Sequence, residues 1–203
     1  MNNQSRYLDM LQQSINLSKE IKIPNLKWNS INYKYQNESE MREIIKIVHG
    51  ELFDVIEHIF MGHPYLGNMC LDLASIAFMF LSAKGYDVEM IYGNVNINNS
   101  PDDEFDTTPE SLRYEYESRI NQGEQDIHAW VGLGGNIIVD FGLPDRLKKN
   151  YLYPHDILSC VGDIGFYEER LKVKYKPMLV GTDFFKTTNS YDPLSNIFGF
   201  ENN

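Results

Sequence analysis

Cys70 is one of two cysteines in the chain, and it stands where a strongly apolar helix pattern begins. The segment from His63 to Gly85 reads HPYLGNMCLDLASIAFMFLSAKG. Asn68 is a suitable N-cap and Gly85 a suitable C-terminal stop, so the pattern predicts a helix running to Lys84 with Cys70 in its first turn. The unpaired N–H groups and the dipole at such a helix end favour a thiolate, which is the nucleophilic form of cysteine.

Two further residues have types that suit thiol chemistry. His128 begins a strand pattern, IHAWVGL, and Asp140 lies near the end of the next one, NIIVDFG. An imidazole beside a thiol can take its proton, and a carboxylate behind the imidazole fixes its tautomer and orientation. The N–H groups at the helix end could hold a developing oxyanion. Each residue also has an ordinary interpretation, since buried cysteines and strand histidines often only fill a core.

The two strands impose a geometric condition on any contact between His128 and Asp140. Side chains alternate faces along a strand, and directly paired residues share a face. His128 and Asp140 can share a face only if the numbers of directly paired residues have an even sum, as 128 and 140 have. A tight two-residue turn at Gly134-Gly135 pairs Leu133 with Asn136 and gives an odd sum, which turns Asp140 away. A Cys-His-Asp site thus predicts an odd-numbered loop or a bulge between Gly132 and Asn136.

Helical periodicity appears outside the cysteine segment as well. It predicts a helix over 5–21, a long amphipathic helix over 39–61 that ends at Gly62, and a short charged helix over 110–121. A single helical turn is expected from Pro154 to Leu158.

Strand patterns occupy the chain after Gly85. Beyond the hairpin, strands are predicted from Val88 and over the segment LKVKYKPMLV, and a short edge strand is expected around Trp28, Ile31 and Tyr33. The acidic segment 98–109 is expected to be an exposed, mobile loop. The sequence therefore predicts an α+β fold in one domain: a helical part over 1–62, a core over 63–180 and a tail over 181–203.

Composition limits the partners. The chain has 203 residues, a net charge of −11 and 42% hydrophobic residues. This acidity argues against nucleic acid or an anionic membrane as the partner and favours a basic peptide. No apolar run could span a membrane, no signal peptide is recognisable, and two cysteines make no disulfide framework, so a cytoplasmic location is expected. Metal-ligand spacings and Gly-rich phosphate loops are absent from the sequence, so no metal and no cofactor are expected.

Three quoted segments, CLDLASIAFMFLSAKGYDVEMIYG, HAWV and IVDFG, together resemble the transglutaminase-like superfamily, which has a papain-like fold. The resemblance covers about Leu66 to Gly142 and is nearest to bacterial peptide-processing members, including those of the lasso-peptide maturation type. It implies a central cysteine helix packed on an antiparallel sheet. It also implies that Cys70 is the nucleophile, His128 the base and Asp140 the orienting carboxylate.

The leading functional hypothesis is thiol-dependent acyl chemistry on an amide bond of a peptide or protein substrate. Proteolysis, deamidation and transamidation share the first half of that reaction, and the sequence leaves the choice open. His63, Asn68 and Trp130 are candidate cleft residues, with loop surface for His63 and core for Trp130 as the simpler interpretations. The alternatives are a non-catalytic binding module that keeps the fold, and a redox sensor that uses Cys70 and Cys160.

Overall fold

A five-stranded antiparallel sheet forms the centre of the protein. The computed structural model describes residues 3–31, 34–35, 37–119, 125–153 and 157–188, with the backbone alone for residues 3–5. The strands are β1 (Val88–Ile97), β2 (His128–Leu133), β3 (Ile137–Asp140), β4 (Cys160–Asp163) and β5 (Val173–Val180). Their order in the sheet is β4-β3-β2-β1-β5. The α+β class predicted from the sequence is confirmed.

Helices cover both faces of the sheet. They are α1 (Asn3–Glu20), α2 (Glu38–Ile47), α3 (Phe53–Ile59), α4 (Cys70–Ala83), α5 (Pro109–Ser118), α6 (Leu143–Tyr151), α7 (Ile164–Arg170) and α8 (Asp183–Thr188). A π-helical turn, Val48–Leu52, joins α2 to α3, so the predicted long helix over 39–61 is one helical segment with a local π turn around Gly50. No helix among these described residues is long and apolar enough to cross a membrane.

The cysteine helix α4 packs on β1, β2 and β3 at one face of the sheet, and the α2–α3 segment shares its apolar cluster. Leu73, Ala77 and Leu81 are buried in one cluster with the even-numbered β1 residues Val88 and Met90. Side chains from α2, the π turn and α3 belong to the same cluster: Ile44, Val48, Leu52 and Ile56. Every residue of α4 except Ala83 is buried or half-buried, which accounts for its almost continuous apolar sequence. The prediction that this helix is buried on most sides is confirmed, whereas the centre of the molecule is the sheet.

Helix α1 covers the opposite face of the sheet. Leu11 and Ile15 are fully buried in a second cluster that contains Trp130, Ile138 and Tyr175. Since successive strand residues point to opposite faces, β2 contributes Trp130 here and Val131 to the α4 side. The molecule therefore has three layers, with the sheet in the middle.

The β2–β3 hairpin has a three-residue loop. Leu133 pairs with Ile137 and Val131 with Val139, which leaves Gly134, Gly135 and Asn136 outside the ladder. The two glycines have φ of +57° and +92°, values that a side chain would strain. The odd-numbered loop predicted from the geometric condition is confirmed, and it puts His128 and Asp140 on the same face.

The sheet is strongly coiled. In a flat sheet β5 and β3, with two strands between them, would lie about 14 Å apart. Yet the hydroxyl of Tyr175 on β5 lies 2.9 Å from Asp140 Oδ2 at the end of β3. A β-bulge between β1 and β5 at Tyr92 and Gly93 contributes to this curvature. A Cβ at Gly93 would lie 2.1 Å from the Lys176 carbonyl oxygen, so this close approach requires glycine.

Two buried asparagines of β1 hold the acidic segment 98–109. Asn94 Oδ1 accepts the N–H of Phe105 at 3.0 Å, and the Asn94 amide donates to the Phe105 carbonyl. Asn96 Nδ2 donates to the carbonyls of Ser100 and Asp102 at 2.9 and 3.1 Å. These amides hold the loop backbone on β1, and Phe105 and Thr107 are buried, while half of the residues in 98–109 are exposed as expected. The mobility of the loop stays a prediction.

Other differences concern short elements. The connection at Trp28 is not a strand; Trp28 is buried, and its Nε1 donates to Asp87 Oδ1 at 2.8 Å. The sequence did not indicate β4, α6, α7 or α8, which are all short and depend on tertiary packing. Tyr33, the first part of the turn expected from Pro154 to Leu158, and the tail beyond Thr188 lie outside the described residues.

Candidate active site

His128 and Asp140 form a buried pair at the end of the sheet where β2 begins and β3 ends. His128 Nε2 lies 2.6 Å from Asp140 Oδ2. The same Oδ2 accepts the Tyr175 hydroxyl at 2.9 Å, and Oδ1 accepts the backbone N–H groups of Gly142 and Leu143 at 2.9 and 3.2 Å. A carboxylate buried among apolar residues is costly without partners, and Asp140 has four.

These contacts favour the charged form of both partners. Burial by itself raises the pKa of Asp140, but the imidazole of His128 and the other donors lower it overall. Burial by itself lowers the pKa of His128, but the charge and hydrogen bond of Asp140, with a smaller contribution from Cys70, raise that pKa to about 10. The pair is therefore an imidazolium–carboxylate pair at neutral pH.

Cys70 is the first residue of α4, as the sequence predicts. Its thiol donates to the carbonyl oxygen of Ile127 at 3.5 Å, and Ile127 directly precedes His128. A Cβ at Gly142 would lie 3.1 Å from Cys70 Cβ, so glycine lets the chain after Asp140 pass close to the thiol. The helix start therefore lies against the ends of β2 and β3.

The N-cap assignment was wrong. Met69 is the N-cap residue of α4 and supplies no side-chain hydrogen bond to the helix. Asn68 Oδ1 instead accepts from Arg146 Nη2 at 3.2 Å. The first-turn N–H groups of α4 thus have no side-chain cap, which leaves them free to stabilise a negative charge.

Only one of the two imidazole nitrogens of His128, Nε2, is engaged by Asp140. His128 Nδ1 is buried and has no hydrogen-bond partner. Cys70 contributes, less than Asp140, to the raised pKa of His128. A neutral or anionic acceptor at Nδ1 would satisfy this nitrogen, and the thiolate of Cys70 is such an acceptor.

An aromatic residue and an arginine cover the site. The exposed fractions of Cys70, His128 and Asp140 are 6%, 1% and 3%, so the three side chains are closed off from solvent. Phe105 stacks on the imidazole with ring centroids 5.6 Å apart and an interplanar angle of 12°. The Arg146 guanidinium lies over Phe105, 4.7 Å from its ring centroid.

Arg146 joins the segments that surround the site. Its Nη1 lies 2.8 Å from Glu104 Oε1, and its Nη2 donates to the Gly67 carbonyl at 3.1 Å. Glu104 also accepts the hydroxyl of Tyr151. One residue of α6 thus links the acidic loop to the turn that precedes Cys70. We call Glu104, Phe105 and Arg146 the cover.

The remaining candidate residues lie in different surroundings. His63 is exposed and packs edge-on against Phe60, with ring centroids 5.8 Å apart. Trp130 is fully buried beside His128, and its Nε1 donates to the Tyr7 hydroxyl at 3.3 Å. Cys160, on the strand next to Asp140, is a buried free thiol whose pKa is raised by burial.

Sequence reasoning missed Tyr175, Phe105 and Arg146. Tyr175 alternates with lysines in VKYKPMLV, a pattern that indicates an inward side chain but no partner. Phe105 is an isolated aromatic residue in an acidic loop, which is a usable signal that the loop packs on something. Nothing local distinguishes Arg146 from the lysines that follow it.

Comparison with known proteins gave no match to any family model, curated protein or solved structure. Within the described residues, no group of three or more His, Cys, Asp and Glu side chains could hold a metal ion.

Proposed function

We propose that the protein performs thiol-dependent acyl chemistry on an amide bond of a peptide or protein, as a cysteine hydrolase or acyltransferase of transglutaminase-like type. One observation carries the proposal: a buried His128–Asp140 pair, whose free Nδ1 is under the influence of Cys70 at the start of a helix. Core packing alone does not require this combination of a charged pair, an unpartnered ring nitrogen and a thiol.

The groups present can perform each step. In the reactive state the proton is on His128 Nδ1 and Cys70 Sγ is the thiolate, which attacks the amide carbonyl carbon. The oxyanion of the tetrahedral intermediate accepts hydrogen bonds from the first-turn N–H groups of α4. The C–N bond then breaks, the amine leaves with the proton from Nδ1, and a thioester remains on Cys70. Water or a second amine resolves the thioester, which gives hydrolysis or transamidation.

Asp140 keeps the imidazole in the tautomer this cycle needs. Because Asp140 accepts at Nε2, the exchanged proton must reside on Nδ1, the nitrogen without a partner. Its negative charge stabilises the imidazolium of His128, which donates the Nδ1 proton to the leaving amine. The net charge of −11 favours a basic peptide as the substrate.

The burial of the site favours a second candidate, a non-catalytic protein-binding module that keeps the fold. With the cover in place, no substrate carbonyl reaches the thiol of Cys70. The enzyme interpretation therefore requires that the cover moves, and the binding-module interpretation requires that it stays.

Alkylation of the two cysteines tests the enzyme interpretation. Iodoacetamide should modify Cys70 at least ten times faster than Cys160 at mildly acidic pH, because His128 and the helix end favour its thiolate. His128→Gln should slow the modification of Cys70 and leave that of Cys160 unchanged. Mass spectrometry of the digested protein gives both rates in one sample, and Cys160 serves as the internal control.

Equal rates for the two cysteines, or a rate at Cys70 that does not respond to His128→Gln, would contradict the enzyme interpretation. The binding-module interpretation then predicts that a basic peptide binds equally well to the wild type and to Cys70→Ala, without turnover in either. Isothermal titration calorimetry with a lysine-rich peptide measures that binding.

A further inference from the structure

Tyr175 makes an unusual contact for a residue of β5. Its hydroxyl donates to Asp140 Oδ2 at 2.9 Å, the same oxygen that lies 2.6 Å from His128 Nε2. Its exposed fraction is 2%, and its ring packs edge-on against Trp130 with centroids 5.1 Å apart. The two donors therefore share one carboxylate oxygen in a place without solvent.

Packing alone does not explain the hydroxyl. Tyr175 contributes its ring to the α1 side of the core, where a phenylalanine would fill the same volume. A buried phenol costs free energy unless it is hydrogen-bonded, and its partner here is the carboxylate of the candidate site. The backbone N–H groups of Gly142 and Leu143 hold Oδ1, whereas the Tyr175 hydroxyl bonds Oδ2, the oxygen that faces the imidazole.

We propose that Tyr175 is a positioning residue of the site, which acts through Asp140 to set the strength of the Asp140–His128 hydrogen bond. This inference rests on the proposed function, since it assigns Tyr175 to the machinery that activates Cys70. Tyr175 touches neither the substrate nor the thiol in this scheme. It determines how much negative charge Oδ2 presents to Nε2.

The groups that face Asp140 decide the direction of the effect. They are His128 on β2, Cys160 on β4, Tyr175 on β5 and Tyr167 on α7, with Cys70 beyond the imidazole. Burial and the neighbouring carboxylate raise the pKa of Tyr175 well above its ordinary value, so it stays a neutral donor. Its hydrogen bond helps to lower the pKa of Asp140, and losing the bond raises that pKa.

The pH dependence of Cys70 alkylation tests this assignment. In Tyr175→Phe, Asp140 takes up a proton at higher pH, so the acid limb of the rate profile should move upward by about 0.5 to 1 pH unit. Tyr167→Phe is the matched control, because it removes a buried phenol from the same cluster that does not bond to Asp140. If the acid limb of the rate profile does not move in Tyr175→Phe, or if the rate falls equally at every pH, the role of Tyr175 is merely structural.

A second variant covers the case in which Tyr175→Phe folds poorly. Incorporation of 3-fluorotyrosine at position 175 keeps the ring and the hydroxyl but makes the phenol a stronger donor. It should move the acid limb in the opposite direction, to lower pH. Shifts of the same sign in both variants would overturn the assignment, because only a hydrogen-bond effect reverses sign with donor strength.

A spectroscopic measurement separates this inference from the proposed function. The Nε2 proton of His128 can be observed by ¹H–¹⁵N NMR, and in Tyr175→Phe it should move downfield because Oδ2 has lost a competing donor. If Cys70 is no more reactive than Cys160, the enzyme interpretation fails whatever this proton does. If Cys70 is reactive and the proton stays in place, the role of Tyr175 fails alone.

Discussion

At the scale of single residues, the site depends on a charged pair inside an apolar core. Asp140 has four hydrogen-bond donors, and each interaction favours its carboxylate form. His128 gains an anionic partner, and its pKa rises to about 10 although burial alone would lower it. Breaking a buried pair from one side leaves the other charge without compensation, which makes the pair a sensitive point for stability.

The stability of the protein should depend on pH through this pair. The pKa of Asp140 is lowered in the folded state, so its contribution is present above the ordinary carboxyl pKa and is lost as the pH falls. The pKa of His128 is raised to about 10, so its contribution is complete below about 6.5 and is lost as the pH rises towards 10. Urea denaturation across this range should show the highest free energy of unfolding at mildly acidic pH.

Asp140→Asn should lower the free energy of unfolding by about 3 kcal/mol at pH 6 and flatten the pH dependence. Asp54→Asn makes the same chemical change at an exposed position of α3 and should have little effect. A variant with the full pH dependence of the wild type would show that the stability of the fold does not draw on this pair.

At the scale of elements, three segments meet around Cys70 because Arg146 binds two of them. Its guanidinium covers Phe105, pairs with Glu104 and holds the Gly67 carbonyl. The acidic loop is thereby fastened over the imidazole, while Asn94 fixes its backbone from below. Of these contacts, only those of Arg146 connect the loop with the turn before the cysteine.

Weakening the cover should make the thiol more accessible. Arg146→Met keeps an apolar chain over Phe105 but removes the ion pair and the hydrogen bond to Gly67. We expect iodoacetamide to modify Cys70 about three- to tenfold faster in this variant, because the closed form loses a partly buried ion pair.

Arg113→Met is the control for this change. Arg113 also pairs with glutamates, Glu20 and Glu117, but on the exposed surface of α5. It should leave the rate at Cys70 unchanged. A rate in Arg146→Met that equals or falls below the wild-type rate would show that the cover does not control access to the thiol.

At the scale of the whole molecule, the α1 layer and the α4 layer depend on each other through the sheet. Tyr7 of α1 accepts the Trp130 indole N–H, and Trp130 stacks beside His128 with ring centroids 5.7 Å apart. Ser18 at the end of α1 accepts the backbone N–H of Val180 at 2.9 Å. The N-terminal helix is thus part of the support of the site, although residues 1–62 lie outside the resemblance.

Leu11→Ala should therefore destabilise the whole fold. Leu11 is fully buried against the sheet, and the loss of its side chain should lower the free energy of unfolding by about 3 kcal/mol. Tryptophan fluorescence and circular dichroism should give coincident urea transitions, while Asp9→Ala on the exposed side of α1 should change little. Two separate transitions would show that α1 folds independently of the site.

The sequence by itself determined the features that depend on near neighbours. The apolar run and Gly85 placed α4 and put Cys70 at its start. The alternation of strand side chains, together with the hypothesis that Asp140 contacts His128, predicted an odd-numbered loop or a bulge between Gly132 and Asn136, and the structure has a three-residue loop there. Both inferences rely on the periods of helix and strand, which are properties of the local backbone.

Only the tertiary structure decided what surrounds these residues. Tyr175 reaches Asp140 because the sheet coils, and Phe105 is buried because Asn94 supplies the hydrogen bonds that its loop backbone needs. Arg146 contacts Gly67 across a separation of 79 residues. No local period encodes such contacts, since they depend on how the curvature of the sheet and the packing of distant helices bring chain segments together. For that reason the types and order of Cys70, His128 and Asp140 were predictable, whereas their burial and their cover were not.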